Sequence, residues 1–136
     1  MALDKPLPVP TPTSKPFWAG LNEETINMQQ CEECGAWVFY PRTHCSSCLG
    51  TRLAWQEVSG DAVLYTFTVA RQPTAPHFTD ETPQRLAVVE LVEQGVRLTT
   101  TLVNIKDTDI EIGMRLEPYF DHVTDEVTLL RYQPAQ

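Results

Sequence analysis

The sequence predicts a mainly β chain in three parts: a short N-terminal helix, a small metal-stapled β module, and a five-stranded barrel of the OB type. Three observations carry that reading. All four cysteines of the 136 residues fall in two CxxC pairs, Cys31-Glu32-Glu33-Cys34 and Cys45-Ser46-Ser47-Cys48, with ten residues between them. After the second pair, strand-sized apolar segments alternate with turn signals. The one stretch with helical spacing, Phe17, Trp18 and Leu21, comes before the cysteines.

Residues 1–13 carry Pro6, Pro8, Pro10 and Pro12 at every second position and read as an extended, polyproline-like tail. Ser14 offers a cap and Pro16 suits a first helical turn, so 15–24 is expected to be a short helix with one aromatic face. Residues 25–30 lead into the first cysteine pair, and the run Ala36-Trp37-Val38-Phe39-Tyr40-Pro41 between the pairs is rich in β-formers. Residues 51–58 alternate as a strand and end at the turn Ser59-Gly60-Asp61. Helix and metal module thus occupy 14–56, and the barrel 57–136. Its strands are expected at 62–71, 85–92, 96–105, 115–120 and 126–132, with a long proline-containing loop over 72–84 and a hairpin turn at Glu93-Gln94-Gly95. A β-sandwich would need more strands than this.

The cysteine spacing carries the clearest chemistry. A CxxC pair in a tight turn aims two sulfurs at one ion, and two pairs complete a Cys₄ shell with no open position, the pattern of a structural zinc site. Gly35 lets the chain turn away after the first pair, while Gly50 comes one residue late, after Leu49. Cys31, Cys34, Cys45 and Cys48 are therefore the expected zinc ligands of a rubredoxin-like zinc ribbon. Iron is the minor alternative, because the ligand set alone does not separate the two metals. Paired disulfides would need an oxidising compartment, and Met1-Ala2-Leu3-Asp4-Lys5 begins no apolar signal segment, so a cytoplasmic setting is expected. His44, beside Cys45, reads as a solvated loop residue.

Composition narrows the function. No apolar run approaches the length of a membrane span. The formal net charge is -8, and the ten Lys and Arg residues are scattered, which argues against a nucleic-acid partner despite the use of ribbons and OB barrels for that purpose elsewhere. Catalysis lacks its parts: the cysteines are committed to metal, His44, His77 and His122 fall in three separate expected loops, and no phosphate-cradling glycine loop exists. His77 and Asp80 in the long loop are the best remaining candidates for chemistry.

Together these motifs resemble a known family. Pro16-Phe17-Trp18, Cys31-x-x-Cys34-Gly35, Tyr40-Pro41-Arg42, Cys45-x-x-Cys48, Ser59-Gly60, Val88-Val89-Glu90-Leu91 with its Glu-x-Gly turn, and Ile112-Gly113 stand in the order found in the zinc-ribbon OB-fold proteins catalogued as domain of unknown function thirty-five. The resemblance covers about 14–134. Two positions depart from the pattern: Asp61 and Ala62 follow Gly60 without a second glycine, and Leu49 rather than glycine follows Cys48. The resemblance implies a non-catalytic accessory subunit of a thiolase-like enzyme of the sterol-carrier type, acting on acyl-CoA in steroid side-chain or fatty-acyl degradation and helping to form the acyl-CoA channel. It leaves two alternatives, a partner of a MaoC-type acyl-CoA hydratase and a free-standing acyl-CoA-binding protein. In that setting Phe17, Trp18 and Trp37 would serve as interface anchors, and Arg42, Arg71 and Arg85 would meet CoA phosphates or partner acids.

Overall fold

A computed structural model describes residues 6–73 and 75–136. The expected tail over 1–13 therefore lies outside the described residues for its first five positions, as does Thr74 of the long loop. Helix α1 spans Lys15–Asn22, and eight strands follow among the described residues: β1 Ile26–Cys31, β2 Trp37–Val38, β3 Leu53–Val58, β4 Ala62–Ala70, β5 Gln84–Leu91, β6 Arg97–Thr101, β7 Arg115–His122 and β8 Thr128–Pro134. They form two sheets, a three-stranded one ordered β2-β1-β3 and a five-stranded one ordered β6-β5-β4-β7-β8. All named strand pairs are antiparallel. A parallel bridge from Leu102, just past β6, to Tyr132 of β8 closes the second sheet on itself. Among the described residues, no helix is long and apolar enough to cross a membrane.

The mainly β class and the five barrel strands agree with the sequence expectation, while several local features differ. The lead-in to the first cysteine pair is itself a strand, β1, and it is the centre of the ribbon sheet. Its Asn27, Gln29 and Gln30 give it a polar look that reads as loop. The run between the cysteine pairs contributes only two strand residues, Trp37 and Val38. Ser14 makes no side-chain cap on α1. It turns back instead: its hydroxyl accepts the Thr11 N–H at 2.9 Å, and its own N–H donates to Thr11 Oγ1 at 3.1 Å. The long loop contains a 3₁₀ turn, Pro76–Glu81. His122 lies in β7 rather than in a loop.

One apolar core joins the pieces. Leu64, Val89, Leu91, Leu98 and Leu116 fill the barrel, and Phe17 and Leu21 of α1 pack on them together with Ile26 and Met28 of β1. Alternation along β1 sends Ile26 and Met28 to this core and Asn27, Gln29 and Cys31 to the opposite face. The joint between ribbon and barrel is the β3–β4 turn. Gly60 sits there at φ 82°, and a Cβ on it would stand 2.4 Å from Ile26 Cδ1 and 2.7 Å from Pro118 Cγ. Its carbonyl accepts the Tyr132 hydroxyl at 2.7 Å. Burial, and secondarily the charge of Asp61, pushes the Tyr132 phenol above its ordinary pKa of 10.0. The joint therefore needs the one residue that has no side chain and tolerates that backbone angle.

Candidate metal centre and adjoining grooves

The two knuckles form at one end of the ribbon sheet. In the first, Cys31 ends β1, its N–H donates to Ala36 O at 2.8 Å, and Gly35 N–H returns to Cys31 O at 2.9 Å. In the second, Cys45 N–H donates to Gly50 O at 2.8 Å and Leu49 N–H to Cys45 O at 3.0 Å. The hydrogen bonding repeats, and so does the backbone: Gly35 has φ 77° and Leu49 has φ 63°. The turning position of the second knuckle is thus Leu49 itself, not Gly50, and an L side chain there stands in left-handed geometry.

These turns bring all four sulfurs within 4.8 Å of one another. Cys31 and Cys48 sulfurs are 3.6 Å apart, as are those of Cys34 and Cys45, and all four thiols are free. A tetrahedral shell with metal–sulfur distances of about 2.3 Å has edges of about 3.8 Å, so the observed spacing fits one ion between them. Cys31 and Cys45 are buried while Cys34 and Cys48 face solvent. Backbone N–H groups already serve the sulfurs: Glu33 and Cys34 donate to Cys31, Ser47 to Cys45 and Gly50 to Cys48. The N–H groups of Cys48 and Ser47 draw the Cys45 thiol down to about 7. Gly50 N–H favours the Cys48 thiolate, but the neighbouring Cys31 and Cys34 sulfurs outweigh it and push that thiol up to about 12. Four sulfurs this close share negative charge poorly unless a cation sits among them. The cluster is built for metal binding, and no other such group of His, Cys, Asp or Glu occurs among the described residues.

The remaining sequence candidates are dispersed. Phe17 is only 4% exposed and lies in the core, edge-on to Trp18, Phe39 and Tyr40. Trp18 is half-buried and donates its indole N–H to the Tyr40 hydroxyl at 2.9 Å. Trp37 is half-buried against the same core. Arg42 is exposed beside the second knuckle. Arg71 and Arg85 come together on one carboxylate, Asp107, at 3.8 and 2.5 Å, with Arg71 largely exposed. His77 and Asp80 are both exposed on the 3₁₀ turn.

Two adjoining grooves were not foreseen from the sequence. One, of about 410 Å³, is mostly apolar and is lined by Trp18, Phe39, Tyr40, Phe78, Leu98 and Leu130. The other, of about 400 Å³, is polar and is lined by Arg85, Asn104, Tyr119 and Asp121. Arg131 borders both. Its guanidinium donates to Asp121 at 2.7 Å, Thr101 at 2.5 Å and Glu81 at 3.1 Å, which ties the 3₁₀ turn to the barrel. Its three partners are scattered along the chain, so no local motif announces it.

Known proteins supply the family. The model described as the ChsH2 rubredoxin-like zinc ribbon domain matches residues 18–54, and that of the ChsH2 C-terminal OB-fold domain matches 55–121. A "DUF35 domain-containing scaffold protein" of Methanocaldococcus jannaschii is 32% identical over 99 residues, covering 71% of this chain and 68% of that protein. The chain belongs to the DUF35 family. A second relative, a "Probable enoyl-CoA hydratase alpha subunit" of Thermomonospora curvata, is 33% identical over 120 residues. That match takes in 88% of this chain but only 37% of the relative, so the chain spans little more than a third of its length. Among solved structures, a chain of the "Ltp2-ChsH2(DUF35) aldolase" superposes with a TM-score of 0.83 at 30% identity, covering 95% of this DUF35 chain and 99% of the other.

Proposed function

We propose that this chain is a non-catalytic accessory subunit of a thiolase-like enzyme acting on acyl-CoA esters, with a structural zinc ion held by Cys31, Cys34, Cys45 and Cys48. The near end-to-end likeness to the DUF35 chain of the Ltp2-ChsH2 aldolase is the observation that carries the reading. The closed Cys₄ donor set suits zinc in a structural role: the ion fixes the two knuckles and leaves no coordination position for substrate. The chain's own surfaces then supply the function. The apolar groove beside α1 offers a wall for an acyl chain, and its half-buried Trp18 and exposed Tyr40 offer aromatic contact area to a partner. The exposed Arg42 and Arg71 remain candidates for partner acids or phosphates.

The test is reconstitution. Purified alone, the chain is expected to carry one zinc and to turn over no acyl-CoA; co-expressed with its thiolase-like partner, it is expected to yield a soluble complex with retro-aldol or thiolytic activity. Equal activity of the partner without this chain would refute the reading. A hydratase partner is the second reading, favoured by the name of the Thermomonospora curvata relative. Co-purification with a MaoC-type subunit, and not with a thiolase, would select it.

A further inference from the structure

A buried amide lies on the same face of β1 as Cys31, two residues before it, and the metal ligands do not account for it. Gln29 is 5% exposed. Its Oε1 accepts the Arg42 N–H at 2.8 Å, and its Nε2 donates to the Arg42 carbonyl at 3.0 Å. One side chain thus satisfies both backbone groups of a residue that belongs to no strand, in the way a neighbouring strand would.

The two knuckles differ in what fixes them. The first grows directly out of β1 and is held by ladder pairing on both sides, with Gln30 opposite Trp37 and Cys31 opposite Leu53. The second is held on its far side, where the chain enters β3 at Leu53. On its near side the chain runs from Pro41 to His44 without strand pairing, and the Gln29 amide grips it three residues before Cys45. Along that face of β1 the side chains act in order: Asn27 donates to Pro16 O at the start of α1, Gln29 holds Arg42, and Cys31 presents its sulfur.

We infer that Gln29 is a positioning residue for the metal centre: by clamping the Arg42 backbone to β1, it sets the second knuckle at the distance from the first that four-sulfur ligation requires. This rests on the zinc reading above and concerns a residue that does not touch the ion. Groups behind metal ligands typically change affinity by about 10–100-fold when removed.

The experiment uses the full chain, zinc-loaded, and follows transfer of zinc to a chromogenic pyridylazo chelator alongside the melting temperature. Gln29→Leu is expected to lower zinc affinity by about 10–100-fold and to speed release. Gln29→Glu, which accepts from the Arg42 N–H but has no donor for its carbonyl, is expected to fall between. Thr128→Val removes a hydroxyl that accepts no ligand role and bonds Asn22 and His122 beside α1; it serves as a variant that lowers melting without affecting release. Wild-type release from Gln29→Leu overturns the inference, and so does faster release that Thr128→Val reproduces at the same loss of melting temperature. If Gln29→Leu does not fold, wild-type release from Gln29→Glu overturns it equally. Wild-type protein that isolates without zinc and takes up none overturns the metal reading and this inference together, whereas tight zinc in both wild type and variants overturns this inference alone.

Discussion

Among the described residues, the buried apolar side chains around the cysteines are those of Cys31, Val38 and Cys45, with Ala36 and Leu53 packed on them. In the barrel, Leu64, Val89, Leu91, Leu98, Leu116 and Tyr132 form a continuous core that reaches through Ile26 and Met28 to α1. A buried Leu or Val side chain contributes about 1.5–3 kcal/mol, so the barrel assembles a sizeable apolar driving force that the knuckles lack. On the proposed metal reading, one short chain divides its stability: the barrel is held by burial, and the tip of the ribbon by ligation. Gly60 and Tyr132 join the two regimes.

Breaking the ligation should produce the largest effect. Cys34→Ser removes one sulfur without touching the apolar core, and is expected to lose zinc and unfold the knuckles while barrel structure persists; elemental analysis and circular dichroism check both halves. At the joint, Gly60→Ala adds a clash with Ile26 and Pro118 to an unfavourable backbone angle. It should destabilise the protein by about 2–4 kcal/mol, read as a lower melting temperature for ribbon and barrel alike.

Tyr132→Phe should cost about 1–2 kcal/mol at neutral pH, because the Gly60 carbonyl loses its buried donor. It also changes the alkaline limit. The folded state holds the Tyr132 phenol neutral above its ordinary pKa. The stabilisation from this group is complete below the unfolded-state pKa of about 10 and is lost as pH rises from there towards the folded value. Denaturant melts above pH about 10 should show a shallower loss of stability in Tyr132→Phe than in wild type. The smallest effect compares the two knuckles themselves. Leu49→Gly gives the second turn the residue the first already has, and with zinc saturating should stabilise by up to about 1 kcal/mol. Gly35→Ala should do the reverse at a site where an added Cβ meets nothing.

What the sequence made legible follows from how local each signal is. The CxxC spacing, the aromatic helix and the alternating barrel strands each need only a few neighbouring residues, and the fold contains all of them. Strand β1 escaped notice because Asn27 and Gln29 point their amides at Pro16 and Arg42, so a buried polar face mimics a loop. Arg131 and Tyr132 likewise carry no local mark: their partners Glu81, Thr101 and Gly60 arrive only when the barrel closes. The departure at Leu49 was visible, but only the backbone shows that it occupies the turning position rather than preceding it.

Hydrogen exchange on the full chain, zinc-loaded and after chelation, tests the division of stability most directly. Chelation should strip protection from the amides of Gly35, Cys45 and Leu49, while those of Leu64, Val89 and Leu91 keep theirs. Unchanged protection at the knuckles, or equal loss throughout the barrel, would contradict it.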